Sequence, residues 1–135
     1  MDIDRALRIS AAGMQAQSSR LRVVAENLAN KDSTGTAPGA DPYRRKTITF
    51  GNSMDRALGA ETVNVRRIGR DNGELPRRFD PTNPAADADG YVKTPNVDSM
   101  VEMMDMREAE RSYNANLAVL ETSRTMLTRA IEALR

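Results

Sequence analysis

The 135-residue sequence contains no cysteine, no histidine and no tryptophan, and its aromatic content is three Tyr and two Phe. Without cysteine there can be no disulfide, no zinc thiolate site and no thiol nucleophile, and sulfur gives no clue to the compartment. Without histidine there is no Ser-His-Asp triad, no imidazole general base and no His-ligated metal. Apolar runs stay far below the roughly 20 residues that cross a bilayer, so membrane insertion is not expected. Met1 is followed by Asp2 and Asp4 instead of a basic n-region and an apolar h-region, so the chain is expected to keep its first residues, with no cleaved secretory signal. Charge of one sign is lacking as well. Twenty Lys and Arg face nineteen Asp and Glu, leaving a net charge of +1 with no basic footprint for nucleic acid or an anionic membrane. So few aromatics also argue against a dense self-contained core.

What the sequence does contain is rhythm at both ends. Residues 4 to about 29, DRALRISAAGMQAQSSRLRVVAENLA, hold no proline and one glycine. Positions 7, 11, 14, 18, 21, 25 and 28 read Leu, Ala, Met, Ser, Leu, Ala, Leu, a seam of an amphipathic helix. Asp2 or Asp4 suits the N-cap, and Asn30 suits a left-handed C-terminal stop. From Ser99 to Arg135 neither Gly nor Pro occurs, which as a helix would span about 55 Å. There positions 113, 117, 120, 124, 127, 131 and 134 read Tyr, Leu, Leu, Arg, Leu, Ile, Leu, and Met100, Met103, Met104 and Met106 widen the apolar face upstream. Ser99 and Glu102 have the spacing of a capping box. Between the ends lie all six Pro and all but one of the eight Gly. YRRKTITF (Tyr43 to Phe50) and TVNVRRI (Thr62 to Ile68) alternate like strands, and GNS and GRDNGELP carry turn signals.

The fold expected from these patterns is mainly α. Long N- and C-terminal amphipathic helices pack as an extended coiled-coil-like pair, with a small β-hairpin or irregular module between them. The boundaries read as an N-terminal helix over 1–30, a small β-containing module with loops over 31–82, an ordered lead-in over 83–98 and a C-terminal helix over 99–135. Two such helices can pair and still leave apolar surface for other subunits. The expected seam and assembly residues are Leu7, Met14, Leu21, Leu28, Tyr113, Leu117, Leu120, Leu127, Ile131 and Leu134.

Three sharper readings fall to plainer ones. The DADG of residues 87–90 invites a calcium loop, but aligning Gly90 to the sixth loop position puts Ala85 at the first and Asn96 at the twelfth, where carboxylates are needed. The doublets Arg44-Arg45-Lys46, Arg66-Arg67 and Arg77-Arg78 lie among nearly as many acids and no aromatic ladder, which reads as a solvated face and not a nucleic-acid site. The methionines at helical spacing read as adaptable packing against non-identical neighbours. No phosphate loop, no GxSxG and no evidently buried carboxylate pair occurs, so neither an enzyme, a cofactor nor a small-molecule substrate is expected.

The segment ISAAGMQAQSSRLRVVAENLANKDSTG (Ile9 to Gly35) resembles the N-terminal motif of the bacterial flagellar rod and hook family, whose helix ends in an Asn-Leu-Ala-Asn element, here Asn27, Leu28, Ala29 and Asn30. The last 39 or so residues before Arg135, with Arg-Ser-Tyr-x-Ala-Asn at Arg111 to Asn116, resemble the family's C-terminal helix. NPAADADGYVKTPNVD (Asn83 to Asp98), carrying Gly90, Tyr91, Val92, Pro95, Asn96 and Val97, is similar to a signature of the short proximal rod members. Residues 51–78 match no motif. The resemblance implies a non-enzymatic structural subunit of the basal body. Such a subunit leaves the cytoplasm through the type III export apparatus, polymerises in the periplasm with copies of itself and with FlgB, FlgF and the adaptor FliE, and transmits torque. From the residues alone, a soluble helical export adaptor or chaperone that binds a client helix is the second reading.

Overall fold

The computed structural model describes residues 2–135. In chain order they form α1 (Ile3–Ala29), β1 (Lys46–Asp55), β2 (Ala60–Arg70), β3 (Arg77–Phe79), β4 (Tyr91–Lys93) and α2 (Ser99–Ala133). Two terminal helices of 27 and 35 residues thus enclose, in sequence, a small β module of two two-stranded sheets. The chain is mainly helical with a substantial strand fraction.

The helix ends differ from the expected ones in instructive ways. The carbonyl of Asp2 accepts the first α1 hydrogen bond, from the Ala6 N–H at 3.1 Å, so Asp2 holds the capping position and Asp4 lies in the first turn, paired with Arg8 at 3.2 Å. At the other end Asn30 is not a left-handed stop, since among the described residues positive φ occurs only at glycines. The turn tightens instead: the Asn30 Nδ2 donates to the Glu26 carbonyl at 2.9 Å, and the Ser33 N–H and hydroxyl both bond Asn30 at 3.1 Å. α2 is capped by Asp98, whose Oδ1 accepts from the N–H groups of Met100 at 2.9 Å and Val101 at 3.4 Å. The expected Ser99/Glu102 capping box does not form. With Asp98 at the cap, Glu102 lies one position too far along the helix to reach back, and its carboxylate is used elsewhere.

β1 and β2 form a hairpin that turns at Arg56–Gly59, and not at the Gly51-Asn52-Ser53 turn signal, which lies inside β1. The reason is Asp55. Its Oδ1 accepts from the Ala57 N–H at 2.9 Å and the Leu58 N–H at 3.3 Å, its carbonyl accepts from Gly59 at 2.8 Å, and Gly59 supplies φ of 61°. Gly51 serves a different purpose, since a Cβ there would lie 2.9 Å from the Arg66 Nε on the partner strand. β3 and β4 pair antiparallel, with Arg77 opposite Lys93, Arg78 opposite Val92 and Phe79 opposite Tyr91.

The chain divides into two compact units, each described by itself. The first comprises the residues to Leu21, Ile48–Arg67 and Met106–Arg135. Within it Gly13 lies against Asn116, where a Cβ would come within 2.8 Å of the Asn116 Nδ2, and Arg20 pairs with Glu108 at 3.4 Å. Rising numbers on α1 meet falling numbers on α2, so the helices here run antiparallel. The residues buried along this contact are small: Ser10 and Ala16 on α1, Ala109 and Ser123 on α2. The large side chains of the expected seam, Leu7, Met14, Leu21, Tyr113, Leu117 and Leu120, are half-buried. Helix axes come closest where side chains are short.

The second unit comprises Arg22–Thr47 and Ile68–Asp105, and buries Val23, Val24, Ala85 and Val92. Gly90 is a close-packed backbone point of this unit. It has φ of 84°, and a Cβ on it would lie 2.9 Å from the Phe79 ring and 3.3 Å from Pro81. Gly90→Ala is expected to cost about 1–3 kcal/mol, read as a lower midpoint in thermal unfolding followed by circular dichroism. An unchanged midpoint would contradict this account of the turn.

Candidate functional site

The densest set of interactions in the second unit gathers where α1 ends, β1 begins and α2 begins. Asn27 is 1 % exposed and Glu102 is 0 % exposed. An amide offers two N–H donors and two acceptor positions, and all four of Asn27's are taken. Its Nδ2 donates to the Lys46 carbonyl at 2.9 Å and to the Glu102 Oε2 at 3.2 Å. Its Oδ1 accepts from the Tyr43 hydroxyl at 2.7 Å and the Lys46 N–H at 2.8 Å. The Arg45 guanidinium pairs with the Glu102 carboxylate, so the buried charge is neutralised by a cation that itself reaches solvent. The Arg45 N–H in turn donates to the Asn96 Oδ1 at 2.8 Å, and the Asn96 Nδ2 donates to the Asp71 carbonyl at 3.3 Å. On the outer side Lys46 Nζ bonds the Glu26 carboxylate at 2.6 Å.

Two titrations follow from this geometry. Burial raises the Tyr43 phenol above its ordinary value of 10.0. The hydrogen bond from Lys46 lowers Glu26 below its ordinary value of 4.5. The folded chain holds the Tyr43 proton more tightly than the unfolded chain, so that contribution to stability is complete below the ordinary phenol value and is lost as pH rises through the raised one. Glu26 works in the opposite direction: its contribution is complete above the ordinary carboxylate value and is lost as pH falls through the lowered one.

The lead-in from Asn83 to Asp98 is built from side chains that fold back onto their own backbone. The Asn83 Oδ1 accepts from the Ala85 N–H at 2.9 Å while its Nδ2 reaches the Thr34 hydroxyl at 3.3 Å. The Asp87 Oδ1 accepts from Asp89 at 3.0 Å and Tyr91 at 2.9 Å. The DADG stretch thus spends its first carboxylate on a turn. Among the described residues no group of three or more acidic side chains could hold a metal ion, and no helix is long and apolar enough to cross a membrane. A cluster whose hub has every hydrogen-bonding position taken fixes the backbone around it.

The sequence-predicted residues divide between the two roles. Of the motif residues, Asn27, Gly90, Val92 and Pro95 are buried, Leu28, Asn30, Asn96 and Val97 half-buried, and Ala29 and Tyr91 exposed. The cluster joins Asn27 with Asn96, through Lys46 and Arg45 on β1 and its approach. Of the seam residues, Leu7, Met14, Leu21, Leu28, Tyr113, Leu117 and Leu120 are half-buried, while Leu127, Ile131 and Leu134 are exposed. Sequence reasoning passed over Tyr43, Arg45, Lys46 and Glu102. For Glu102 a signal was present, since it is the single charge within Met100-Val101-Glu102-Met103-Met104. Arg45 and Lys46 were visible only as part of a basic run read as a solvated face, and Tyr43 only as part of a strand pattern.

Residues 88–133 match the family model described as flagellar basal body rod FlgEFG protein C-terminal, and residues 7–35 match the model described as flagella basal body rod protein. Over 133 residues, 98% of this chain and 96% of the relative, the sequence is 50% identical to the flagellar basal-body rod protein FlgC of Agrobacterium fabrum. It is 42% identical to FlgC of Salmonella typhimurium, covering 91% of each chain. It is 36% identical to FlgC of Bacillus subtilis, covering 93% of this chain and 94% of that one.

Asn27→Ala leaves the Glu102 carboxylate, the Tyr43 hydroxyl and the Lys46 backbone short of partners, and is expected to cost about 2–4 kcal/mol in denaturant unfolding. A loss below about 0.5 kcal/mol, the size of an ordinary surface change, would contradict the central place given to Asn27. The phenolate absorbance lost in Tyr43→Phe is expected to titrate above the ordinary phenol value. Titration of that difference at or below the ordinary value would show that the Tyr43 hydroxyl is not held inside the cluster.

Proposed function

Because the chain belongs to the family of flagellar basal-body rod proteins FlgC, we propose that it works mechanically, through the apolar residues its two terminal helices leave uncovered. It is a structural subunit of the flagellar basal-body rod, and not an enzyme. The finer reading is a subunit of the proximal rod that reaches the periplasm by type III export. There it polymerises with copies of itself and meets FlgB, FlgF and the adaptor FliE, and the assembly transmits torque. Contacts between unlike faces of identical subunits propagate without closing, which suits a helical rod.

One observation carries this reading. In the first unit Gly13 sits against Asn116 on antiparallel helices, so the start of α1, ten residues before Gly13, falls level with Met126, ten residues beyond Asn116. Leu127 shares a shallow cleft with Asp2, Ile3, Asp4 and Leu7, and the chain beyond it overhangs. Leu127 at its edge is 41% exposed, and on the overhang Ile131 and Leu134 are 53% and 88% exposed, although α2 stays helical to Ala133. An amphipathic helix with no partner along its apolar stripe is marginal in water. A neighbouring helix would supply the missing cover, and pairing of the terminal helices as a coiled-coil-like layer across subunits is the form proposed here.

Ile131→Asp is expected to leave the circular dichroism of the purified chain unchanged, because Ile131 contacts solvent, while abolishing swimming and removing the chain from purified basal bodies. Leu120→Asp, at a half-buried seam position, should also abolish assembly while leaving export detectable. Normal swimming with Ile131→Asp would sink the overhang as an assembly surface.

A further inference from the structure

We propose that the outer face of the β3–β4 sheet docks on the methionine face at the start of α2 in a second copy of this chain, an inference that rests on the rod-subunit reading above. The two patches lie in the second unit, and each is fixed by a feature already described.

The first patch follows from strand register. Arg77 and Phe79 on β3 lie opposite Lys93 and Tyr91 on β4, so these four share one face, while Val92, with no exposure, points to the other. Phe79 and Tyr91 are 62% and 45% exposed, and their rings meet edge to face with centroids 5.4 Å apart. Gly90 admits the Phe79 ring at a distance no side chain would allow. The charged residues of the two strands are cations; Lys93 pairs with Asp41 at 3.6 Å and Arg78, on the other face, pairs with Asp80 at 3.8 Å, so Arg77 is the cation this face presents beside the rings.

The second patch follows from the rotation of α2. Glu102 is turned into the polar cluster, and at about 100° per residue the positions two before and two after it point some 160° away from it. Those positions are Met100 and Met104, 68% and 66% exposed, with Met103 beside them. From Thr94 to Met106 there is no Lys or Arg, while Asp98 and Asp105 flank the methionines.

The patches complement each other. Thioethers make favourable contacts with aromatic rings and adapt their shape to them. Arg77 beside the rings meets the acidic flank of the thioethers at Asp98. Each copy carries both patches uncovered, and pairing one copy's rings with the next copy's methionines leaves one of each free at the ends, an open-ended contact.

The chain's lack of cysteine makes the test clean. Basal bodies are purified from cells carrying Phe79→Cys with Met104→Cys and treated with a mild oxidant. A ladder of disulfide-linked oligomers is expected, at about tenfold or more the level seen when Asn72→Cys replaces Phe79→Cys, because docking raises the local thiol concentration. Cross-linking that stops at the dimer indicates a closed two-fold contact, and linkage only to other rod proteins identifies a different occupant. Either result overturns the inference, as does no linkage in particles that contain the chain. Absence of the wild-type chain from the particles would instead overturn the rod reading itself. A charge swap covers the case of a double variant that fails to assemble. Met104→Lys alone should reduce swimming, and adding Arg77→Glu should restore it; no restoration also overturns the inference.

Discussion

The Glu102 carboxylate has no contact with solvent, and a charge held that way is stable only with partners fixed on surrounding elements. Arg45 supplies the opposite charge and Asn27 the second hydrogen bond, and through them the end of α1, the first residues of β1 and the first turn of α2 are held at one point. Asn27 is the more demanding member. A residue with all four hydrogen-bonding positions occupied tolerates no neighbour out of place, so Tyr43 and Lys46 are constrained as tightly as Glu102. The Asn-Leu-Ala-Asn element then has a physical reading. Its first Asn is the hub of the cluster, and its last Asn closes the helix by bonding the Glu26 carbonyl.

In the first unit the constraint is steric instead. Gly13 against Asn116 brings two helices together along a line of small residues. Periodicity found the helices, and the residues they bury fully are smaller than the ones it marked. The four-three rhythm of Leu7, Met14, Leu21 and Leu28 marks an apolar stripe correctly, but hydropathy favours bulk, while closest approach favours Ser10, Gly13 and Ala16. The stripe with large side chains and the stripe buried by the chain itself are neighbours on the same helix. A subunit that must pair within itself and with other subunits has reason to keep the two apart.

The terminal helices, the strand pair around Tyr43–Phe50 and Thr62–Ile68, and the turn-rich character of Asn83 to Asp98 were legible from local pattern. The cluster was not, because its members come from positions 27, 43, 45, 46, 96 and 102, and no spacing rule links residues so distant in sequence. Asn27 and Asn96 stood out only as parts of a family motif. The turn signal at Gly51 lies inside a strand because Gly51 is a glycine for close strand approach, whereas Asp55 and Gly59 supply the turn geometry. The capping box was misassigned because Asp98, one residue earlier, is the better cap. In each case a side chain with two plausible local uses was taken by the tertiary one.

Hydrogen exchange read by mass spectrometry on the purified full-length chain tests the account most directly, because it follows the polar cluster and the uncovered overhang in one experiment. Peptides covering Glu26–Ala29, Arg45–Lys46 and Glu102 should exchange slowest, since the Lys46 N–H is held by Asn27 and the Arg45 N–H by Asn96. Residues 128–135 should exchange fastest. Equal exchange in the two regions, or slower exchange in 128–135, would contradict both the cluster as the fixed point of its unit and the overhang as a surface awaiting a neighbour.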